Sequence, residues 1–320
     1  MKKVTIVIPN YNGSGFIPEC FDALKKQSTK DFDVIVVDNS SEDDSLEVIE
    51  KESEGLNVQV IELDNNYGFS RAVNEGIKAT DAEYVILLNN DTHAGKRFVE
   101  KLVEKIEESE KIFSVQALML QRDNPQKVDS SGDFFCALGW AFARGKDRPA
   151  TKFNNSGDIF SSCAGAAIYR KKAFEYVGLF DDEFFAYLED VDLGYRARLS
   201  GYRNVFAPEA KVLHVGSGAS GSRYNSFKVS LAARNALLLI YKNFAPWQYI
   251  VNAIPVACGI IVKTAFFFRK GFGFDYLKGV MSAFSKMRKI NRTKVPKDKR
   301  DNYDKIQKEL WQNILLRIGL

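Results

Sequence analysis

Residues 84–92 read YVILLNNDT, an apolar run that ends in two amides, a carboxylate and a hydroxyl. Because a buried strand that stops in polar groups delivers them to the carboxyl edge of a sheet, this stretch favours an α/β fold with a ligand at that edge. Oxygen ligands there suit a divalent cation that holds phosphates. Taken alone, residues 87–92 are equally well interpreted as an ordinary polar turn, so the rest of the chain has to decide.

The first 120 residues alternate between two hydrophobic periods. Short β-branched apolar runs predict strands, and the amphipathic stretches between them predict helices. The predicted strands are 4–8, 34–37, 58–63, 84–88 and 113–118, and the predicted helices are 17–27, 44–51, 70–79 and 96–108. This alternation indicates a doubly wound, mostly parallel α/β sheet with helices on both faces.

Polar side chains stand where three of these predicted strands end. The first strand runs into Pro9 and Tyr11, the second into Asp38, and the fourth into Asn90 and Asp91. In a doubly wound sheet these ends converge on one crevice. Tyr11 suits stacking on a base, Asp38 a hydrogen bond to a base or ribose, and Asp91 a metal on a diphosphate. Each also has a plain structural interpretation, as a surface aromatic or as a turn cap.

Glycine-rich phosphate-binding loops are absent from the ends of the first five predicted strands. GxxxxGK[ST] does not occur, and the one GxGxxG match, at residues 216–221, follows none of these strands, so a dinucleotide or P-loop site at their ends lacks its phosphate-binding loop. A metal ion therefore has to compensate the charge of a bound diphosphate.

Two further candidate functional residues, Asp190 and His214, lie later in the chain. Asp190 falls in the first turn of a predicted helix, whose N-terminus favours an ionised carboxylate that suits removing a proton from a hydroxyl. The alternative is ordinary acidic decoration of a helix start. His214 ends an apolar strand and suits completing a metal shell with Asp91, or is simply a hydrogen-bonded polar group.

The C-terminal part of the chain is basic and aromatic. Residues 261–320 hold 15 Lys and Arg against 5 Asp and Glu, whereas the whole chain has a net charge of +4. Residues 247–268 are largely apolar, but Pro255 and Lys263 interrupt them, so they fall short of a spanning helix and predict one that lies in a membrane interface. Packing on the catalytic domain or on a second subunit stays open. Nucleic acid is disfavoured because residues 286–300, the densest basic stretch, contain no aromatic.

The compartment is inferred from the cysteines and the N-terminus. Four scattered cysteines without CxxC spacing indicate buried apolar residues in a reducing compartment. The chain runs directly into a strand pattern without a signal peptide, so we expect a cytoplasmic protein that is peripheral on the inner face of the cell membrane.

Five motifs, in this order, resemble those of family 2 glycosyltransferases of the GT-A fold. They lie at residues 4–13, 36–41, 66–74, 88–92 and 189–190. The donor-binding residues that the resemblance implies are Pro9, Tyr11, Asp38, Arg71 and Asn90. It also implies Asp91 and His214 as ligands of Mn²⁺ or Mg²⁺, and Asp190 as the catalytic base. The departure is Asn89, which stands where the family's DxD pattern has an aspartate and leaves a leaner metal shell.

The resemblance extends to bacterial rhamnosyltransferase-type members through Gly139-Trp140 and Arg234-Asn235. It implies transfer from a dTDP- or UDP-linked sugar, dTDP-rhamnose among them, to a saccharide acceptor on a polyprenyl diphosphate in cell-surface polysaccharide synthesis. Asp190 would deprotonate the acceptor while the metal and Arg71 stabilise the departing diphosphate. One base without an opposing nucleophile favours inversion.

The alternative is a non-catalytic nucleotide-sugar-binding or scaffold subunit of a polysaccharide assembly complex, although binding alone needs no base. We predict a catalytic domain over 1–220, with a nucleotide-binding half (1–120) and an acceptor half (121–220). Residues 221–320 would then form a helical, basic region that meets the membrane. A homodimer is compatible with the sequence.

Overall fold

A computed structural model describes residues 2–216 and 224–319. The first half of the chain contains β1 (Val4–Asn10), α1 (Ile17–Lys25), β2 (Phe32–Asp38), α2 (Ser45–Glu52), β3 (Val58–Glu62), α3 (Gly68–Ala79), β4 (Tyr84–Leu88), β5 (Thr92–Ala94) and α4 (Phe98–Glu107). Then come β6 (Ile112–Gln121), β7 (Asn124–Ser130), β8 (Asp133–Cys136), β9 (Trp140–Ala143), β10 (Gly157–Ile159), β11 (Ala166–Arg170), α5 (Phe174–Val177), α6 (Glu189–Leu199) and β12 (Arg203–His214). The C-terminal helices are α7 (Ser226–Asn243), α8 (Pro246–Arg269), α9 (Gly273–Lys286) and α10 (Asp301–Gly319).

The predicted α/β sheet is confirmed, with antiparallel strands added to it. Its order is β3-β2-β1-β4-β11-β6-β12-β10, with β5 paired to β12 and β7 to β6. The pairs β1/β2, β1/β4, β2/β3 and β6/β12 are parallel. Strand β11 is antiparallel to both of its neighbours and joins the two parallel groups into one sheet.

Helices cover both faces of the sheet, as the continuous apolar strands require. In β1, Ile6 and Ile8 point to the face covered by α1, α2 and α4, whereas Val7 points to the face covered by α3, α5 and α6. A Cβ on Gly76 of α3 would lie 2.3 Å from Val7, so this glycine lets α3 pack closely on the strand.

Strand β12 is long and irregular. It covers residues 203–214 and pairs with β6 along its length. The pairing shifts between Ala207 and Lys211. Pro208 lies in this interval and lacks the N–H that regular pairing needs, which explains the irregularity.

The C-terminal helices pack on the rest of the chain. Leu310 of α10 is fully buried, its carbonyl accepts a 3.0 Å hydrogen bond from the N–H of Ala137, and Asn313 donates to the carbonyl of Phe135. Helix α10 is thus part of the packed structure. The predicted boundary between residues 220 and 221 lies outside the described residues, and the division at that point stays a prediction.

Helix α8 meets a criterion for a membrane-spanning helix that its sequence was expected to fail. Its 24 residues are long and apolar enough to cross a membrane, by length and composition, although Pro255 and Lys263 were expected to disqualify it. Only 11% of its most apolar window is buried within the described structure. Cys258 is exposed on this helix, against the expectation of buried cysteines, whereas Cys20 and Cys136 are buried.

Candidate active site

One cavity of about 760 Å³ opens at the carboxyl ends of β1 and β4 and beneath the start of α6. Six of the eight residues predicted from the sequence lie in its wall, namely Pro9, Tyr11, Asn90, Asp91, Asp190 and His214. Tyr11 stands at the rim, with 38% of its surface exposed. Phe142 and Phe227 add an apolar side to the cavity. The structure therefore joins an aromatic ring, an amide, two carboxylates and an imidazole from four distant parts of the chain.

Asp38 lies beneath this cavity and outside its wall, 2% exposed. Its Oδ1 accepts hydrogen bonds from Asn10 Nδ2 at 2.7 Å and from the Ser41 hydroxyl at 2.6 Å, and its Oδ2 accepts from the Ser41 N–H at 2.9 Å. Asn10 Oδ1 in turn accepts from Asn90 Nδ2 at 2.7 Å. Asp38 thus fixes the ends of β1 and β4, and its predicted contact with a donor stays a prediction. Asn10 was missed because an amide at a strand end has no sequence signal of its own.

Arg71 also lies outside the cavity wall. Its guanidinium pairs with Glu75 at 2.9 Å and with Asp182 at 3.1 Å, and nearly half of the side chain is exposed. Arg71 reaches a donor phosphate only if it leaves these two carboxylates.

Asp91 and His214 form the predicted metal pair at another part of the wall. Asp91 is 9% exposed, and its Oδ1 lies 3.3 Å from His214 Nε2 without a hydrogen bond to any described residue. His214 Nδ1 contacts Asp129 Oδ2 at 2.9 Å, and Lys146 pairs with the same carboxylate. A buried carboxylate oxygen that faces an imidazole, whose other nitrogen is held by a second carboxylate, fits a metal ion.

The electrostatics of this pair are dominated by two carboxylates. Burial alone would lower the pKa of His214, but Asp129 and Asp91 outweigh it and raise that pKa to about 9. Burial opposes ionisation of Asp129, yet His214 and Lys146 hold its pKa below the usual value. A cation at Asp91 would take the place of the proton on His214.

Asp190 lies in the first turn of α6, as predicted, and its Oδ1 accepts a 2.8 Å hydrogen bond from the N–H of Val191. Burial raises the pKa of Asp190, and the N–H groups of Val191 and Ala164 together with the Asp133 carboxyl offset part of that rise. Glu189 is also buried, which raises its pKa well above the usual value. A carboxylate in the cavity wall that can be ionised is suited to accept a proton from a bound hydroxyl.

Asp133 is the residue that the sequence did not indicate. Its backbone exchanges hydrogen bonds with Ser161 at 2.9 and 3.1 Å, and its carboxyl lies close to that of Asp190. Burial, and then the neighbouring Asp190, raise the pKa of Asp133 well above its usual value. Burial thus favours the neutral form of Asp133, whose carboxyl offsets part of the rise in the pKa of Asp190.

The ligand atoms of Asp133, Cys163 and Asp190 all lie within 4.8 Å of one another, a spacing that a metal ion also accepts. Burial raises the pKa of the Cys163 thiol well above its usual value, however. A thiol that resists ionisation disfavours this triad, and the pair of Asp91 and His214 stays the predicted metal site.

Comparison with known proteins decides the family. A sequence model described as glycosyl transferase family 2 matches residues 5–178, more than half of the chain. The chain belongs to glycosyl transferase family 2. In this family 2 chain the match includes the ends of β1 and β4, which carry four of the six predicted residues in the cavity wall, and it ends before Asp190 and His214.

Two curated relatives illustrate how far the similarity extends. An uncharacterized glycosyltransferase, EpsJ of Bacillus subtilis, is 32% identical over 107 residues, which are 33% of this chain and 31% of the relative's length. The N-acetylglucosaminyl-diphospho-decaprenol L-rhamnosyltransferase of Mycobacterium tuberculosis is 25% identical over 241 residues, 68% of this chain and 77% of that protein.

A solved structure supports the fold. The crystal structure of GalNAc-T7 with UDP, GalNAc and Mn²⁺ superposes with a TM-score of 0.62 at 15% identity, over 76% of this chain and 48% of that one. At this identity the likeness establishes the GT-A type fold alone.

Proposed function

We propose that this family 2 chain is an inverting glycosyltransferase that moves a sugar from a nucleoside diphosphate to a saccharide hydroxyl. The observation that carries the proposal is the meeting of Tyr11, Asp91 and Asp190 in one cavity of about 760 Å³. Ligand pockets of several hundred Å³ accommodate molecules of nucleotide-sugar size.

The donor would lie along the strand ends. Tyr11 at the rim offers a ring for the base, and Pro9 and Asn90 line the path toward the diphosphate. UDP- and dTDP-sugars are the proposed donors, since the solved relative GalNAc-T7 was obtained with UDP. dTDP-rhamnose is the first sugar to test, because the mycobacterial relative is an L-rhamnosyltransferase.

Asp91 and His214 would hold a divalent metal, Mn²⁺ or Mg²⁺. When bound, the metal supplies positive charge that stabilises the diphosphate leaving group. The close approach of Asp91 Oδ1 to His214 Nε2 supports this site, and the GalNAc-T7 structure contains Mn²⁺.

Asp190 would act as the base. The acceptor hydroxyl gives its proton to the Asp190 carboxylate, its oxygen forms a bond to the anomeric carbon, and the bond from that carbon to the diphosphate breaks with its electron pair. We assign no nucleophilic role to the neighbouring Asp133, because burial and Asp190 raise its pKa well above the usual value and so oppose the charged form that a nucleophile needs. A single displacement follows, and with it inversion at the anomeric carbon.

The acceptor would be a saccharide on a polyprenyl diphosphate, presented at a membrane. The mycobacterial relative's name specifies such a lipid. Helices α8, α9 and α10 expose large apolar side chains, among them Ile250, Ile254, Phe274 and Ile318, each at least 75% exposed. Arg269, Lys270 and Lys278 are exposed beside them and suit the anionic inner face of a cell membrane. A peripheral location on that face is therefore proposed, with subunit contact as the competing use of the same surface.

The test is a donor screen. Purified chain is incubated with UDP-, dTDP- and GDP-sugars and Mn²⁺, with and without short-chain polyprenyl-diphosphate saccharides, and release of nucleoside diphosphate is measured. Transfer from one donor class with inverted stereochemistry supports the proposal. Tight nucleotide binding without release from any donor would instead support a non-catalytic binding subunit.

A further inference from the structure

A strained turn connects the segment 180–184 to the helix that carries Asp190. Phe185, Tyr187 and Leu188 all have positive φ, at 64°, 67° and 70°, although none is glycine. Leu188 is the residue immediately before α6, and its carbonyl accepts the first hydrogen bond of that helix, from the N–H of Asp192. Side chains with a Cβ rarely adopt this conformation unless their surroundings enforce it. The direction in which α6 begins is therefore set by whatever holds residues 185–188.

Asn235 of α7 holds the turn from one side. Its Nδ2 donates to the carbonyls of Phe184 at 2.9 Å, Ala186 at 2.9 Å and Tyr187 at 2.7 Å. The side chain is fully buried, so water does not compete for these carbonyls. One amide group thus satisfies three backbone acceptors of a segment that forms no regular secondary structure.

Arg234 fixes the orientation of that amide. Its Nε donates to Asn235 Oδ1 at 2.9 Å, which turns the Nδ2 group toward the carbonyls. Its terminal nitrogen donates to the carbonyls of Phe184 at 2.9 Å and Glu183 at 3.1 Å. The two consecutive residues of α7 therefore contact four of the five carbonyls from 183 to 187.

The opposite side of the turn rests on α3. The N–H of Ser70 donates to the carbonyl of Phe185 at 3.2 Å, and a Cβ on Gly68 would lie 2.5 Å from the same oxygen. The turn is thus held by α7 on one side and by the start of α3 on another, and its residues 185–188 line the cavity.

We propose that Asn235, oriented by Arg234, is a positioning residue that aims the proposed base Asp190 by clamping the strained turn 185–188. The inference rests on the proposed role of Asp190, because Asn235 itself lies outside the cavity wall. Arg234 and Asn235 would then act on the reaction indirectly, through the position of Asp190. That position would depend on α7, a helix of the C-terminal region.

The test compares matched buried-amide variants. Asn235→Asp keeps the shape but turns an acceptor toward three carbonyls, and Arg234→Lys is a milder second variant. Asn252→Asp is the control, because Asn252 is equally buried and donates to the carbonyl of Gln248 in α8, away from the turn. Thermal unfolding establishes that each variant is folded.

Two readouts follow on the full chain. Hydrogen exchange of the amides from 185 to 191 reports the clamp whether or not a substrate is known. For the donor that wild-type chain turns over, kcat is measured beside the affinity for UDP with Mn²⁺, taken from calorimetry. Since a displacement of about 1 Å costs roughly 100-fold in rate, we expect Asn235→Asp to lower kcat by that order, with unchanged UDP affinity and faster exchange at 185–191. Arg234→Lys should lower kcat and speed the exchange by less, again with unchanged UDP affinity.

Normal exchange and normal kcat in Asn235→Asp would overturn the inference, and so would equal losses in Asn235→Asp and Asn252→Asp. If wild-type chain releases nucleotide from no donor, the proposed function fails, and the exchange pattern alone then decides whether the clamp exists.

Discussion

The carboxyl groups of Asp133 and Asp190 face each other within 4.8 Å in the wall of the cavity. Burial raises the pKa of both, and contact with Asp190 raises that of Asp133 further. The Asp133 carboxyl in turn offsets part of the rise in the pKa of Asp190. The two carboxyl groups therefore titrate as a pair, in which the protonation of one changes the pKa of the other.

Loss of the Asp133 carboxyl group should shift the pH dependence of kcat for glycosyl transfer. Asp190 must be ionised to act as a base, so the rate falls as the pH drops through its pKa. In Asp133→Ala that pKa rises, and the acid limb of kcat should move up by about one pH unit, equivalent to a charge-assisted hydrogen bond of roughly 1.4 kcal/mol. Asp133→Asn keeps an N–H donor and should shift less. A limb that moves to lower pH would mean that Asp133 is charged in the wild-type protein.

Removal of the metal ligands should separate metal-dependent from metal-independent donor binding. Asp91→Ala should abolish the gain in UDP affinity that Mn²⁺ brings, measured by calorimetry with and without the ion. Asp129→Asn, which loosens His214, should weaken the same gain by roughly 10- to 100-fold. An identical response to Mn²⁺ in wild type and Asp91→Ala would exclude this pair as the metal site.

The exposed apolar face of the C-terminal helices should bind anionic membranes. Deleting these helices is no suitable test, because α10 is part of the core through Leu310. The double substitution Ile254→Asp and Phe274→Asp should reduce co-sedimentation with phosphatidylglycerol-rich vesicles roughly tenfold or more, since each buried side chain contributes about 1.5–3 kcal/mol. Tyr176→Asp, an exposed aromatic on α5, is the control. Unchanged sedimentation together with a loss of dimer in solution would identify the face as a subunit contact.

The buried pair of Lys242 and Asp192 should stabilise the junction of α6 and α7. Lys242 Nζ lies 2.9 Å from Asp192, whose carboxyl is fully buried. Lys242→Ala should lower the free energy of unfolding by about 3 kcal/mol, because it leaves a buried carboxylate with fewer partners. Denaturant unfolding measures this, with the exposed Lys172→Ala as control.

The same pair predicts a pH dependence of stability. Burial opposes the charge of Asp192, but Arg196 and Lys242 hold its pKa below the usual value. Its contribution is therefore present above the usual aspartate pKa and lost as the pH falls through the lower folded value. The difference between wild type and Lys242→Ala should shrink in acid, and a difference that grows in acid would contradict the assignment.

The sequence predicted those parts of the site that local patterns determine. The ends of β1 and β4 are marked by apolar runs that stop in Tyr11 and Asp91, and α6 places Asp190 in its first turn. Convergence of strand ends in a doubly wound sheet then brings such residues together, and this is a property of the fold class.

The remaining features depend on contacts between distant segments. Asp133 lies in a stretch without hydrophobic period, and only its pairing with Ser161 brings it to Asp190. Arg71 was assigned from resemblance, yet Asp182, 111 residues away, holds it outside the cavity wall. The packing of Leu310 on Ala137 likewise has no local signature. Sequence periodicity reports which face of an element is buried but not which element covers it.

The most direct measurement concerns Asp190 itself. Asp190→Asn is compared with wild type for UDP affinity with Mn²⁺ and for turnover of the donor identified by the screen. The proposed mechanism predicts unchanged affinity and a kcat lower by a factor of roughly 100 to 10,000, because only proton transfer is lost. Transfer by Asp190→Asn at the wild-type rate would contradict the assignment of this cavity as the site of glycosyl transfer with Asp190 as its base.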